Sequence, residues 1–201
     1  RVGSKHPDGT SLQPQSFERF GYVGVSFPAF DVDEENNLPT WFSGFLLSIV
    51  AVILWFCAAQ KRADKDPWMA YWFVLAAGFL CLSLDEIAGI HETVNSLIDM
   101  NWAIPGGFLA GGLGLAFVPF LLQLPSRTRM VLLASGLLYV GGAVGVELLG
   151  APLDSDTLTY NLVTAVEEGL ELAGPLLFLY SLLRYMQAGD VEAVRVTVEL
   201  K

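Results

Sequence analysis

Long apolar runs recur along this chain, each close to the roughly 20 residues that a helix needs to cross a hydrocarbon core about 30 Å thick. The first, Trp41 to Gln60, follows Pro39-Thr40 and stops at Lys61-Arg62-Ala63-Asp64-Lys65. Trp68 to Leu84, Trp102 to Leu124, Met130 to Leu149 and Asn161 to Tyr185 complete a set of five, and the helical pattern of the second continues outward through about Asp99. In lipid every backbone polar group must be satisfied within its own segment or in a closed barrel. Runs of this length therefore predict an all-α fold, a polytopic transmembrane helical bundle of about five spans. Composition agrees: hydrophobic residues make up 53% and charged residues 16%. A formal net charge of -10 argues against nucleic acid as a partner, because such binding depends on basic side chains on phosphates. Cys57 and Cys81 both fall inside apolar runs, so neither a disulfide framework nor a cysteine-rich zinc site is expected, and both read as small core residues.

Basic residues set the orientation, since short cytoplasmic loops carry an excess of Lys and Arg. Lys61, Arg62 and Lys65 fall in the first loop, Arg127 and Arg129 in the third, and Arg184 at the end of the fifth run. All lie on one side, and Asp31, Asp33, Glu34, Glu35, Asp99, Asp154 and Asp156 lie on the other. The reading is an extracytoplasmic N-terminal segment over residues 1–40, a transmembrane domain over 41–185 and a cytoplasmic tail over 186–201. An outward-facing N-terminus predicts a cleaved signal or an upstream helix. The N-terminal segment holds an aromatic-rich stretch, Phe17, Phe20, Tyr22, Val25, Phe27 and Phe30, suited to a membrane surface or a partner. The tail alternates Val194, Val196 and Val198 with Arg195, Thr197 and Glu199, the pattern of a short strand in need of a pair. Gly107 and Gly111, and again Gly141 and Gly145, have the GxxxG spacing that lets helix backbones approach in lipid.

The chemistry-bearing feature is the position of the acids. At about 1.5 Å per residue, Asp85 lies roughly 26 Å above Pro67, Glu147 roughly 27 Å above Arg129, and Glu168 and Glu171 roughly 24 and 20 Å above Arg184. Three runs thus deliver carboxylates to one depth, in the outer third of the bilayer. Asp85 and Glu92 are seven residues apart and so fall on nearly one face, extended by Asn95, Ser96 and Asp99. Tyr160, Asn161, Thr164, Glu167, Glu168 and Glu171 fall within an arc of roughly 120°, a polar stripe expected to face the bundle interior. No Lys or Arg sits in the outer half of a run. Isolated carboxylates in low dielectric escape their desolvation cost by taking a proton or a cation.

The candidate metal-ligating set is accordingly Asp85, Glu86, His91, Glu92, Glu147, Glu167, Glu168 and Glu171. Carboxylate oxygens suit Ca²⁺, Mg²⁺ or Mn²⁺, and His91 extends the range to Fe or Zn. A buried di-iron bundle would carry Glu-x-x-His on two helices; here Glu86 and His91 are five apart, and the fifth run has Glu168-x-x-Glu171 without histidine. The plainer reading has these acids lining a water-filled outer vestibule or capping helix ends.

Asp33-Glu34-Glu35-Asn36-Asn37-Leu38-Pro39-Thr40-Trp41-Phe42-Ser43, then Leu-Asp-Glu-x4-His-Glu over Leu84 to Glu92, then Glu-Glu-x2-Glu over Glu167 to Glu171, together resemble a group of uncharacterised bacterial multi-span membrane proteins. The likeness covers about residues 30 to 186 and implies a bacterial inner (cytoplasmic) membrane, with no role for any residue. Ser83, Asp85 and His91 superficially resemble part of the zinc site of ceramidase-like membrane hydrolases, but the two further intramembrane histidines are missing.

The leading expectation is an accessory or structural subunit of a larger membrane complex. Its carboxylates bind a divalent cation or ordered water, and it meets lipid and partner proteins through small-residue helix faces, the aromatic N-terminal segment and the tail. A metal-dependent hydrolase or oxidoreductase of the outer leaflet, using Asp85, Glu92, Glu168 and Glu171 as ligands, is the alternative. An ion-coupled transporter is the third, weakened because the inner halves of the runs hold almost no ionisable residue.

Overall fold

The structure, a computed structural model, describes residues 38–98 and 100–188, with backbone alone for Glu92, Ser96 and Ile98. The aromatic N-terminal stretch, Asp99 and the strand-like tail lie outside the described residues. Among those described, all regular structure is helical: α1 Leu38–Ala63, α2 Met69–Ala88, α3 Ile90–Ile98, α4 Ala103–Gln123, α5 Ser126–Val140, a π-helical segment Gly141–Val146, α6 Glu147–Gly150 and α7 Leu158–Ala188. Four helical stretches are long and apolar enough to cross a membrane: α1, α2, α4 and the continuous run Ser126–Gly150. The fifth expected run forms α7, 31 residues long, which is not among these four because Glu167, Glu168 and Glu171 dilute its apolarity.

The helix ends follow local chemistry. Lys61 and Arg62 occupy the last turn of α1, where cations favour the carbonyl end of the helix dipole. Lys65 takes a left-handed conformation (φ 55°), and its N–H and that of Asp66 close onto the carbonyls of Arg62 and Lys61 at 3.1 and 2.9 Å. Asp66 then accepts from the Trp68 N–H at 2.8 Å and pairs with Lys61 at 3.2 Å, tying the turn together. At the start of α7, the Thr157 hydroxyl accepts from the Tyr160 N–H at 3.2 Å, an ordinary N-cap.

One expectation fails here. The second helix does not run unbroken to about Asp99: it ends at Ala88, and Gly89 takes the left-handed conformation (φ 55°, ψ 43°) before α3 begins. Gly lacks the Cβ that makes this region costly, so the chain turns at the one residue suited to it. The seven-residue phase relation between Asp85 and Glu92 therefore does not carry across.

Packing rests on two serine–glycine crossings. The Ser83 hydroxyl donates to the Gly44 carbonyl at 2.8 Å, with Ser48 Oγ 2.7 Å from Ser83 Oγ, which joins α1 to α2. The Ser135 hydroxyl donates to the Gly174 carbonyl at 2.8 Å, which joins α5 to α7. Both glycines are needed for contact: a Cβ on Gly44 would lie 2.7 Å from Ile87 Cγ1, and one on Gly174 would lie 2.8 Å from Tyr139 Cβ and 3.0 Å from Ser135 O. Toward the basic ends of the helices an apolar core forms from Val50, Leu54, Trp72, Phe120, Phe178 and Leu182. There Tyr71 stacks on Phe120 with centroids 5.3 Å apart, which brings the end of α4 against α2. Much of the rest of α4 is exposed, with Phe108, Leu109 and Leu115 outward as a lipid-facing helix requires.

The GxxxG spacing is used only in part. A Cβ on Gly107 would meet Val144 at 3.1 Å, but Gly111, Gly141 and Gly145 face open space, and the contact glycine is Gly142. The π segment is wound by i→i+5 bonds, so a four-residue spacing no longer marks one face there. Cys57 is buried as expected; Cys81 is exposed, which corrects its reading as a core residue.

Substitution at a crossing glycine should be costly where the same change on an open face is not. Gly174→Ala is expected to destabilise by about 1–3 kcal/mol through overpacking. Gly114→Ala, which meets nothing within 4 Å, should be neutral or stabilising by up to about 1 kcal/mol. Thermal unfolding of the two variants in one detergent checks the contrast.

Candidate functional site

The π segment crosses α7 at the turn that carries Glu167 and Glu171. A Cβ added to Gly142 would lie 2.9 Å from the Glu167 carbonyl, 3.0 Å from Glu171 Cγ and 3.1 Å from Leu170 Cβ. The Gly142 backbone thus rests directly on the turn of α7 that carries the acids. Pro175, buried one turn further on, has no N–H to give the carbonyl of Glu171 four residues back. The deepest acid therefore has a backbone acceptor without its helical donor beside its own carboxylate. Proline and π segment both loosen the ordinary hydrogen-bond ladder at one level, a combination common at functional positions in helices.

The polar stripe of α7 faces inward as expected. Tyr160, Asn161, Thr164, Glu167, Glu168 and Glu171 are all partly buried, and Leu162, Ala165, Val166 and Gly169 on the opposite side are exposed. From this position Glu171 lies within electrostatic range of Glu168 and Glu167 on its own helix, Glu86 of α2 and Glu147 of α6. Glu167 is in range of Glu147, Glu168 and His91, and Glu168 of Glu86 and His91. The described lysines and arginines all sit at the other end of the helices, in the α1–α2 turn, the first turn of α5 and the last part of α7.

Asp85 and His91 meet across the Gly89 break. Asp85 Oδ1 accepts from the His91 backbone N–H at 2.9 Å and Oδ2 lies 3.2 Å from His91 Nδ1. Asp85 thus caps the start of α3 and fixes the imidazole at the same time. The ring also packs on Trp102, with centroids 5.1 Å apart. Glu147 is held from the other side, its Oε1 accepting from Asn101 Nδ2 at 2.7 Å. Asn101 Oδ1 in turn accepts from the Ala103 N–H at 2.8 Å, and Asn95 Oδ1 accepts from the Trp102 N–H. An amide network therefore locks the α3–α4 turn onto Glu147.

Of the eight residues expected to ligate, seven have described side chains, and Glu92 has backbone alone. Among the described residues, no three His, Cys, Asp or Glu side chains are disposed to hold a metal ion. Asp85 and His91 pair with each other, and Glu147 is engaged by Asn101. Two residues were missed by sequence reading. Asn101 lies in a loop and carries no periodic signal. Tyr139 lies on α5, and its phenol is in electrostatic range of Glu171, Glu86, Asp85 and Glu168. It sits eight residues before Glu147, which is visible in the sequence, but the π segment between them breaks the phase that would have linked the two.

A family model described as "Domain of unknown function (DUF8692)" matches residues 14–186. The chain belongs to the DUF8692 family. No curated protein and no solved structure matches it. The expectation of an uncharacterised family holds, but the match begins at residue 14, so the likeness extends upstream of the residue-30 limit read from the motifs. In DUF8692 terms, all the acids, His91, Tyr139 and Asn101 fall within the matched region.

The Asp85 cap gives a direct test. Asp85→Ala should cost about 0.5–2 kcal/mol, the range for losing an N-cap acceptor, and should raise amide hydrogen exchange selectively over α3. Asp85→Asn, which keeps an acceptor oxygen, should retain most of the protection of α3.

Proposed function

We propose that this DUF8692 chain is a non-catalytic integral component of a bacterial cytoplasmic membrane, an accessory subunit of a larger complex. In this reading α7 is the fifth crossing and the N-terminal segment faces outward. The acids of α2, α6 and α7 act as one carboxylate layer near the outer face, which binds ordered water or a divalent cation and thereby fixes the upper half of the bundle. The observation that carries the proposal is the environment of Glu171, whose neighbours Glu86, Glu147, Glu167 and Glu168 come from three helices. Like charges at such range repel unless protons, water or a cation stand between them.

Transport across the membrane fits less well. Toward the basic ends from Glu171 the described helices pack through an apolar cluster that includes Leu54, Trp72, Phe120, Phe178 and Leu182. The metal-dependent enzyme reading has one observation in its favour. With Asp85 accepting from Nδ1, a neutral His91 ring carries its lone pair on Nε2, the usual arrangement of an imidazole oriented by a carboxylate to bind metal or carry a proton.

Glu171→Gln separates the two forms of the layer. If water and protons hold it, removing one charge relieves repulsion, and the melting temperature in mild detergent should stay level or rise by a few degrees. If a divalent cation holds it, elemental analysis should find about one equivalent in the parent protein and none in the variant, and the variant should melt lower and lose its response to EDTA. A parent protein purified alone, without partner, with measurable hydrolase or oxidoreductase turnover would overturn the accessory-subunit reading.

A further inference from the structure

At the end of the molecule opposite the acids, α1, α5 and α7 enclose a cavity of about 570 Å³. It forms where α1 ends, α5 begins and α7 approaches its last turn, so it lies at the level where a spanning bundle meets lipid headgroups. Lys61, Arg127 and Arg184 line it, and Phe56, Val131 and Tyr180 supply apolar wall. The three cations are not equivalent. Lys61 is engaged by Asp66 at 3.2 Å and lies 5.6 Å above the Tyr185 ring. Arg127 and Arg184 are exposed and form no ion pair among the described residues. The acid in the lining, Asp64, accepts from Gln60 Nε2 at 3.2 Å.

Two guanidiniums without carboxylate partners, set over an apolar wall, make a receptor for an anion that carries a hydrocarbon chain. Guanidinium offers a planar fork of donors that matches a phosphate, and basic pockets between membrane helices take anionic headgroups. The volume points the same way: pockets of about 300–1,000 Å³ suit organic ligands rather than a bare oxyanion. We propose that this cavity seats one anionic phospholipid, its phosphate between Arg127 and Arg184 and its upper acyl chain along Phe56, Val131 and Tyr180. The site is separate from the acid layer and does not depend on what that layer binds.

Native mass spectrometry of the full chain, released from mild detergent with added phosphatidylglycerol or phosphatidylcholine, tests this. One phosphatidylglycerol adduct should persist at collision energies that strip phosphatidylcholine. Arg127→Gln and Arg184→Gln should each reduce its retention about fivefold. Arg62→Gln, outside the cavity lining, should leave it unchanged. Both arginines are exposed, so the variants should keep the parent melting temperature, which is measured alongside. Equal retention of the two lipids, parent-like binding by both variants, or displacement of the lipid by millimolar inorganic phosphate would overturn the proposal. The first two outcomes would leave the segment after Ala188 as the occupant, and the third would mark a plain anion site.

Discussion

The close approach of two backbones, α7 against α5 and its π continuation, is the constraint on which the rest of the molecule depends. Gly142 and Gly174 bring the helices together on either side of Glu171, and the Ser135 hydroxyl bridges to the Gly174 carbonyl at 2.8 Å. Because lipid tails are as apolar as leucine, association in a membrane draws on packing of this kind and on interhelical hydrogen bonds. That contact also decides the chemistry. Holding the Glu171 turn of α7 against Gly142 keeps Glu171 within electrostatic range of Glu86 and Glu147 on neighbouring helices.

The matching contact between α1 and α2, through Gly44 and Ser83, fixes the height of Asp85 and Glu86. Ser83 is buried and hydrogen-bonded to the first helix, and Ile87 packs on the same Gly44, so Asp85 and Glu86 are held between two firm contacts with α1. The break at Gly89 then starts a separate helix, α3, with Asp85 as its cap. A residue serving as both helix cap and imidazole anchor is already committed, and this is the physical reason Asp85 does not present itself as an open ligand. The carboxylates of α7 carry no such commitment to a helix end.

Much of this was legible beforehand. Apolar length located the helices to within a few residues, and the positions of Lys61, Arg127 and Arg184 predicted that basic side chains would gather at one end. Helical phase placed the polar stripe of α7 correctly because that helix remains regular through its first half. Phase failed where the backbone departs from 3.6 residues per turn. Gly89 reads in sequence like any glycine tolerated within a helix, and nothing in Gly141 to Val146 announces i→i+5 bonding. Both irregularities border the acids, so phase could not relate Asp85 to Glu92 or Tyr139 to Glu147, while the facing of the α7 stripe was legible. Asn101 escaped for a different reason, since a loop amide acquires its role only when the chain folds back on Glu147.

The two ends of the molecule therefore solve one electrostatic problem in opposite ways. At the basic end, Arg127 and Arg184 are exposed and form no ion pair among the described residues, and in the proposed reading anionic headgroups supply their counter-charge. At the acidic end Glu167, Glu168 and Glu171 are partly withdrawn between helices, and His91 nearby is already held by Asp85. In the proposed reading a proton, ordered water or cation completes the acidic end, and this difference would make the acid-bearing half of the bundle the part whose packing responds to what it binds.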